Sequence, residues 1–244
     1  MPIGVTINVL SVVFGGIVGT LMGNKLPARI KDNLTLIFGV CAIGMGIVAI
    51  DMMKFMPAVI LAVVLGTIFG FIIDLNKWIT TGALSLQKPI AMWMKHGHTK
   101  LSDDNVTAAL VTIVVLFCAS GSGIYGSIDA GMTGDSTILI SKSILDFFTA
   151  VIFACNLGIV VSMVAIPQFI IFGALALSAQ LIFPLTTPDM IGDFKACGGF
   201  LLLATGFRMT KIKEFPVADM IPAMVIVMPI SWIWANWIVP LITF

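Results

Sequence analysis

Apolar positions along this chain fall into runs of about 20 residues, the length of one bilayer crossing, separated by short polar or Gly/Pro-containing stretches. The runs lie at 4–23, 33–51, 56–74, 105–125, 137–164, 166–184, 194–210 and 216–240. Within them apolar residues are continuous rather than alternating, which fits helices and excludes the period-two pattern of a membrane barrel. The predicted fold class is all-α: a polytopic transmembrane helical bundle of about eight spans, forming a single transmembrane domain over 1–244. Between the third and fourth runs, Leu75 to Met94 mixes apolar and polar residues with Gly82 and Pro89. It reads either as an amphipathic helix on the cytoplasmic surface or as a plain loop.

The runs also repeat. "INVLSVVFGGIVGTLMGNKLP" followed by "LTLIFGVCAIGMGIVAI" resembles "PQFIIFGALALSAQLIFPLTTP" followed by "FKACGGFLLLATGFRMT". An offset of 160 pairs Asn8 with Gln168, Gly39 with Gly199 and Gly46 with Gly206; an offset of 161 pairs Pro27 with Pro188. The first repeat then spans 4–74 and the second 166–240, flanking a central helix pair at 105–164. A shift of five spans is odd, so the second copy must insert upside down. Inverted repeats suit a protein whose halves expose one midplane site to either side. Chance similarity between Gly-rich spans is the competing explanation.

Composition reinforces the membrane reading. The 244 residues are 59% hydrophobic and 10% charged, with mean hydropathy +1.12, whereas a soluble domain carries roughly 25% charged residues. Ten of the 13 basic residues sit in the 1–2, 3–4 and 7–8 connections: Lys25, Arg29, Lys31, Lys77, Lys88, Lys95, Lys100, Arg208, Lys211 and Lys213. Only Lys54 and Lys195 fall on the opposite side, and Lys142 lies inside span five. Basic loops stay cytoplasmic, so both termini are expected outside, which eight spans satisfy and seven do not. The first run lacks a basic n-region, so it reads as a span and not a cleaved signal. Trp232, Trp234 and Trp237 near the end of span eight fit interfacial anchoring, as do Trp78 and Trp93 in the long inner connection.

Other classes find no support. No basic stripe invites nucleic acid. Cys41, Cys118, Cys155 and Cys197 lie in apolar runs without CxxC spacing, and His96 and His98 stand apart in a loop. The cysteines are expected to be small buried hydrophobes, and neither a metal site nor a cofactor is expected. With no nucleotide loop or nucleophile motif, an enzyme is not expected either. Gly15, Gly19 and Gly23, and Gly66 with Gly70, recur every four residues, the spacing that lets helix backbones pack closely in lipid.

Candidate chemistry concentrates in spans four and five. Ser120, Gly121, Ser122 and Gly123, followed by Tyr125, interrupt the helical pattern. Such a break frees backbone groups that line a wet site, or else marks a close helix crossing. Asp135 or Ser136 can cap span five. Lys142 and Asp146 follow, four residues apart and on one face. Asp146 lies roughly 16 Å beyond the cap at 1.5 Å per residue. Charges at that depth are costly and mark coupling groups, or form a self-neutralised structural pair. Asn156 further along, with Asn8 and Gln168 near the starts of their spans, could add amide ligands or make ordinary interhelical hydrogen bonds. Asp129 and the Gly131–Gly134 turn are placed in the outer loop, solvated.

The block "FC…GSIDAGMTGDSTILISKSILD" between Phe117 and Asp146 resembles the domain-of-unknown-function 554 family, the YqgA/YdfK-like bacterial integral membrane proteins. The opening "IN…GGIVGTLMGNKLP", Pro167-Gln168 and Gly198-Gly199 fit it too. The resemblance implies a bacterial inner-membrane protein and no particular ligand. The function expected from the repeat and the buried charges is a secondary transporter of a small solute or ion. The alternatives are an ion channel, which needs a continuous polar stripe, and a non-transporting scaffold, which needs an exposed partner face. The expected partners are the lipid bilayer and that solute or ion, with a homo-oligomer left open.

Overall fold

The structure, a computed structural model, describes residues 3–94 and 112–242. The expected start of span four at 105–111 lies outside the described residues, as do Lys95, His96, His98 and Lys100. Every described element is helical. In order they are α1 (Ile3–Met22), α2 (Ala28–Ile50), α3 (Met56–Ile72), α4 (Leu75–Met94), α5 (112–118), α6 (Gly121–Thr133), α7 (Thr137–Leu157), α8 (Val160–Met163), α9 (Ala165–Ile182), α10 (Pro188–Met209), α11 (Val217–Met220), α12 (Pro222–Ile233) and α13 (Val239–Ile242). A π-helical stretch, Trp234–Ile238, joins the last two. Among the described residues seven segments are long and apolar enough to cross a bilayer, and α3 with the start of α4, a bent pair, makes an eighth. The chain is a polytopic transmembrane helical bundle.

Two boundaries differ from expectation for local reasons. Span four does not end near residue 125. Its helix stops at Ala119–Ser120 and restarts as α6, because Ser120 Oγ accepts the Gly123 amide at 3.2 Å and caps the new helix. Asp129 and Gly131 are therefore buried in α6 rather than in a solvated loop. Gly134 closes α6 in the left-handed region at φ 77°, which glycine adopts freely. Span seven starts earlier than 194. Thr187 caps it by accepting from the Met190 amide at 3.3 Å, and Pro188 occupies the first turn. Asp193 is thereby drawn inside α10. The segment 75–94, open between amphipathic helix and loop, is helical.

The chain forms two compact units. The first comprises Met1–Thr35 and Lys77–Gln180. Its axis is α1 packed along α7. A Cβ on Gly15 would collide with the Phe147 carbonyl oxygen, and one on Gly19 with that of Val151. These glycines thus serve close backbone approach, while Gly23, at φ 56°, meets nothing and only ends the helix. Two apolar clusters fill the unit. One centres on Val12, Ile113, Phe117, Ala150 and Val161, the other on Val5, Leu139, Phe172 and Ala176. Large apolar side chains on the outer faces, such as Leu10, Phe14, Ile144 and Ile170, are exposed, as a lipid-facing surface requires.

The second unit comprises Leu36–Asn76 and Leu181–Phe244. Here α2 crosses α10 through reciprocal glycine contacts. Cβ atoms on Gly39 and Gly206 would lie 2.9 and 2.7 Å from each other's carbonyl oxygens, and those on Gly46 and Gly199 2.8 and 2.7 Å. Gly66 and Gly70 of α3 press on Ala223 and Asp219. Asp193, fully buried, accepts from the backbone amides of Lys54 at 2.7 Å and Phe55 at 2.9 Å, tying α10 to the start of α3. Its second oxygen accepts from Ser231 at 2.7 Å. Asp219 accepts from the Asn76 amide at 3.0 Å. Cys118, Cys155 and Cys197 are buried as expected, but Cys41 is exposed, because it lies on the outward face of α2.

Candidate functional site

The site grows from the first turns of α7. Asp135 Oδ1 accepts the Thr137 amide at 3.0 Å, fixing where α7 begins. Lys142 and Asp146 then share one face of the helix. Both are buried, and Lys142 Nζ donates to Asp146 Oδ2 at 2.5 Å. Two neighbouring helices converge on this pair. From α1, Asn8 Nδ2 donates to Asp146 Oδ2 at 2.9 Å. From α9, Gln168 Nε2 donates to Asn8 Oδ1 at 2.9 Å and lies 3.5 Å from Asp146 Oδ2. The two amides, Asn8 and Gln168, thus bond directly to each other beside the carboxylate.

The chain break contributes differently from expectation. Ser120 is occupied in capping α6, and Ser122 Oγ lies 3.5 Å from Ser120 Oγ. The backbone group that reaches the site is the Phe117 carbonyl, just before the break, which accepts from Gln168 Nε2 at 3.4 Å. Gly121 is buried at the start of α6, and Gly123 makes room for Phe172, since a Cβ there would collide with the ring's Cζ. The Phe172 and Phe117 rings each stand 6.0 Å from Lys142 Nζ, at the outer reach of a cation–π contact. Neither ring was singled out in the sequence, where an aromatic in an apolar run reads as core.

Other expected members lie apart. Asn156 is exposed at the end of α7, where Oδ1 accepts from Lys31 Nζ at 3.0 Å. Asp135 stays at the helix start. Tyr125 is buried on α6. One group is conspicuous by its chemistry: Gln168 is fully enclosed, yet its Oε1 has no hydrogen-bond partner among the described residues. A buried polar atom left so costs about 1–3 kcal/mol.

Exposed apolar flanks and an enclosed ion pair define the class: a polytopic α-helical membrane protein with a polar interior cluster. The particular family follows from the sequence. The chain belongs to the family described as protein of unknown function (DUF554), whose pattern matches residues 3–232. It is 47% identical over 237 residues to the uncharacterized protein YqgA of Escherichia coli (strain K12), covering 97% of this chain and 99% of that protein. It is 27% identical over 227 residues to the uncharacterized membrane protein YdfK of Bacillus subtilis (strain 168), covering 91% and 93% respectively. No solved structure matches the chain.

Proposed function

We propose that this protein is a secondary transporter of a small solute or ion, with a midplane site at Asp146, Lys142, Asn8 and Gln168. The observation that carries the reading is the unpartnered Gln168 Oε1 beside a buried charge pair. A purely structural cluster gains by satisfying every polar atom; a ligand site keeps an acceptor in reserve. Two inverted repeats support the same reading. Asn8, paired with Gln168 by sequence offset, bonds to it directly. Gly39 and Gly46 meet Gly206 and Gly199, the crossed pattern that a twofold axis imposes on a helix and its inverted copy. Each compact unit also holds helices from both repeats: α1 with α9, and α2 and α3 with α10 and α12. The site then sits where the repeats meet, with the helices between them supplying Lys142, Asp146 and the Phe117 carbonyl. We place the protein in the bacterial inner membrane with both termini outside, from the distribution of basic residues.

The test is electrical. Proteoliposomes adsorbed on a solid support are given jumps of pH, sodium chloride and ammonium chloride. Wild-type protein is expected to give a transient current in at least one jump, and Asp146→Asn with Lys142→Met together is expected to give none. Equal currents from both proteins, or none from the wild type beyond protein-free liposomes, would refute the transport reading.

A further inference from the structure

Gly15 and Gly19 lack side chains where a neighbouring helix backbone fills the space. Gly82 is different: a Cβ there would meet nothing within 4 Å. It lies in the interior of α4, where glycine weakens a helix relative to alanine. Among the described residues nothing takes up the room its missing side chain leaves. That room belongs to a cavity of about 550 Å³, lined by residues including Ile79, Gly82 and Ser85 of α4 together with Cys118, Ile171 and Leu175.

Of these, only Ser85 and Cys118 have polar side chains, and both turn to backbone. Ser85 Oγ donates to the Thr81 carbonyl at 3.1 Å, and Cys118 Sγ to that of Val164 at 4.0 Å. A polar ligand is oriented by a few converging polar groups, whereas this wall offers hydrocarbon. The wall is also continuous with the lipid-facing surface. Half-buried Ile171 and Leu175 neighbour Ile170 and Leu177 along α9, and those two are 63% and 55% exposed. α4 itself mixes apolar and polar residues, with Trp78 71% exposed, as suits a helix lying at the bilayer surface.

We propose that this cavity is a lipid site, holding one acyl chain of a bilayer phospholipid between α4 and α9. Lipid tails are as apolar as leucine, so the chain gains little from transfer alone. Its gain is contact: an empty cavity forfeits the dispersion attraction of its walls, and a flexible hydrocarbon chain restores it. The chain crosses α4 at Gly82, where any side chain would fill the site. The cavity shares no residue with the Asp146 cluster, so its test leaves the transport reading untouched.

The test uses the full-length protein in phosphatidylethanolamine–phosphatidylglycerol vesicles that contain phosphatidylglycerol with a diazirine at the end of one acyl chain. After irradiation, the labelled residues are mapped by mass spectrometry. Lipid that merely bathes the protein labels residues in order of exposure, Ile170 and Leu177 ahead of Ile171 and Leu175. An occupied cavity is expected to reverse that order. Gly82→Phe is expected to remove the label from Ile171 and Leu175 and to leave it on Ile170 and Leu177; nothing meets the new Cβ, so the ring has room to enter. Ser85→Leu, one turn on, serves if the phenylalanine variant misfolds. Labelling in order of exposure would overturn the assignment, as would a label on Ile171 and Leu175 that both variants leave in place. An unlabelled wall would overturn it too. The cavity would then belong to protein: to a second copy if Ser85→Cys yields a disulfide-linked dimer, or to the 95–111 segment of the chain if it does not.

Discussion

Lys142→Met alone is expected to destabilise the protein by about 3–5 kcal/mol, and Asp146→Asn added to it is expected to restore most of the loss. Both side chains are buried, and Asp146 sits among apolar and amide groups with no other cation within the described contacts. Removing the lysine strands a carboxylate in a region of low dielectric, where Asn8 and Gln168 offer only neutral donors. With both charges removed, the carboxamide introduced by Asp146→Asn meets amide partners already positioned, so the double variant needs no charge compensation. Unfolding in graded denaturant, read by tryptophan fluorescence, measures the cycle. Independent, additive losses would mean that the two residues are not the coupled pair described here.

Asp193→Ala is the other large effect. This carboxylate receives two backbone amides and one hydroxyl, so its loss orphans the Lys54 and Phe55 amides and the Ser231 hydroxyl together. At about 1–3 kcal/mol for each buried orphan, a loss of roughly 3 kcal/mol or more is expected, enough to unfold a marginal membrane protein. Asp193→Asn keeps one acceptor oxygen and is expected to fall between the alanine variant and the wild type. The same denaturant series checks both variants. A loss under about 1 kcal/mol for alanine would show that the start of α3 does not depend on this bond.

The membrane bundle was legible in the sequence because lipid demands long apolar runs, and most helices begin or end within a few residues of those runs. Lys142 and Asp146 were legible for the same reason: a charge inside such a run has to find a partner, and a four-residue spacing supplies one. Asn8 and Gln168, which the sequence offset of 160 pairs, are hydrogen-bonded to each other. Other features depended on tertiary contacts that periodicity does not carry. Asp193 fell one residue outside the apolar run at 194–210; only the amides at Lys54 and Phe55 explain its burial. Asn156 looked like a site amide, yet nearly three turns of α7 carry it away from Asp146 to the exposed end beside Lys31. The Ser120–Gly123 break was visible as a break, but which carbonyl it would turn toward the site was not. Phe117 was hidden by its own apolarity.

Transport by alternating access requires the Asp146 cluster to open in turn to the two sides of the membrane, and native Cys118 reports on that opening directly. This thiol is buried, next to Phe117 at the edge of the site. With Cys41, Cys155 and Cys197 replaced by serine, right-side-out and inside-out vesicles are treated with a membrane-impermeant, positively charged thiol reagent. Alternating access predicts that Cys118 is modified from either side, and that locking one side with a cross-link suppresses reaction from that side while sparing the other. A Cys118 that stays inert from both sides in folded protein, or reacts from both at once with no reciprocal loss, would contradict it.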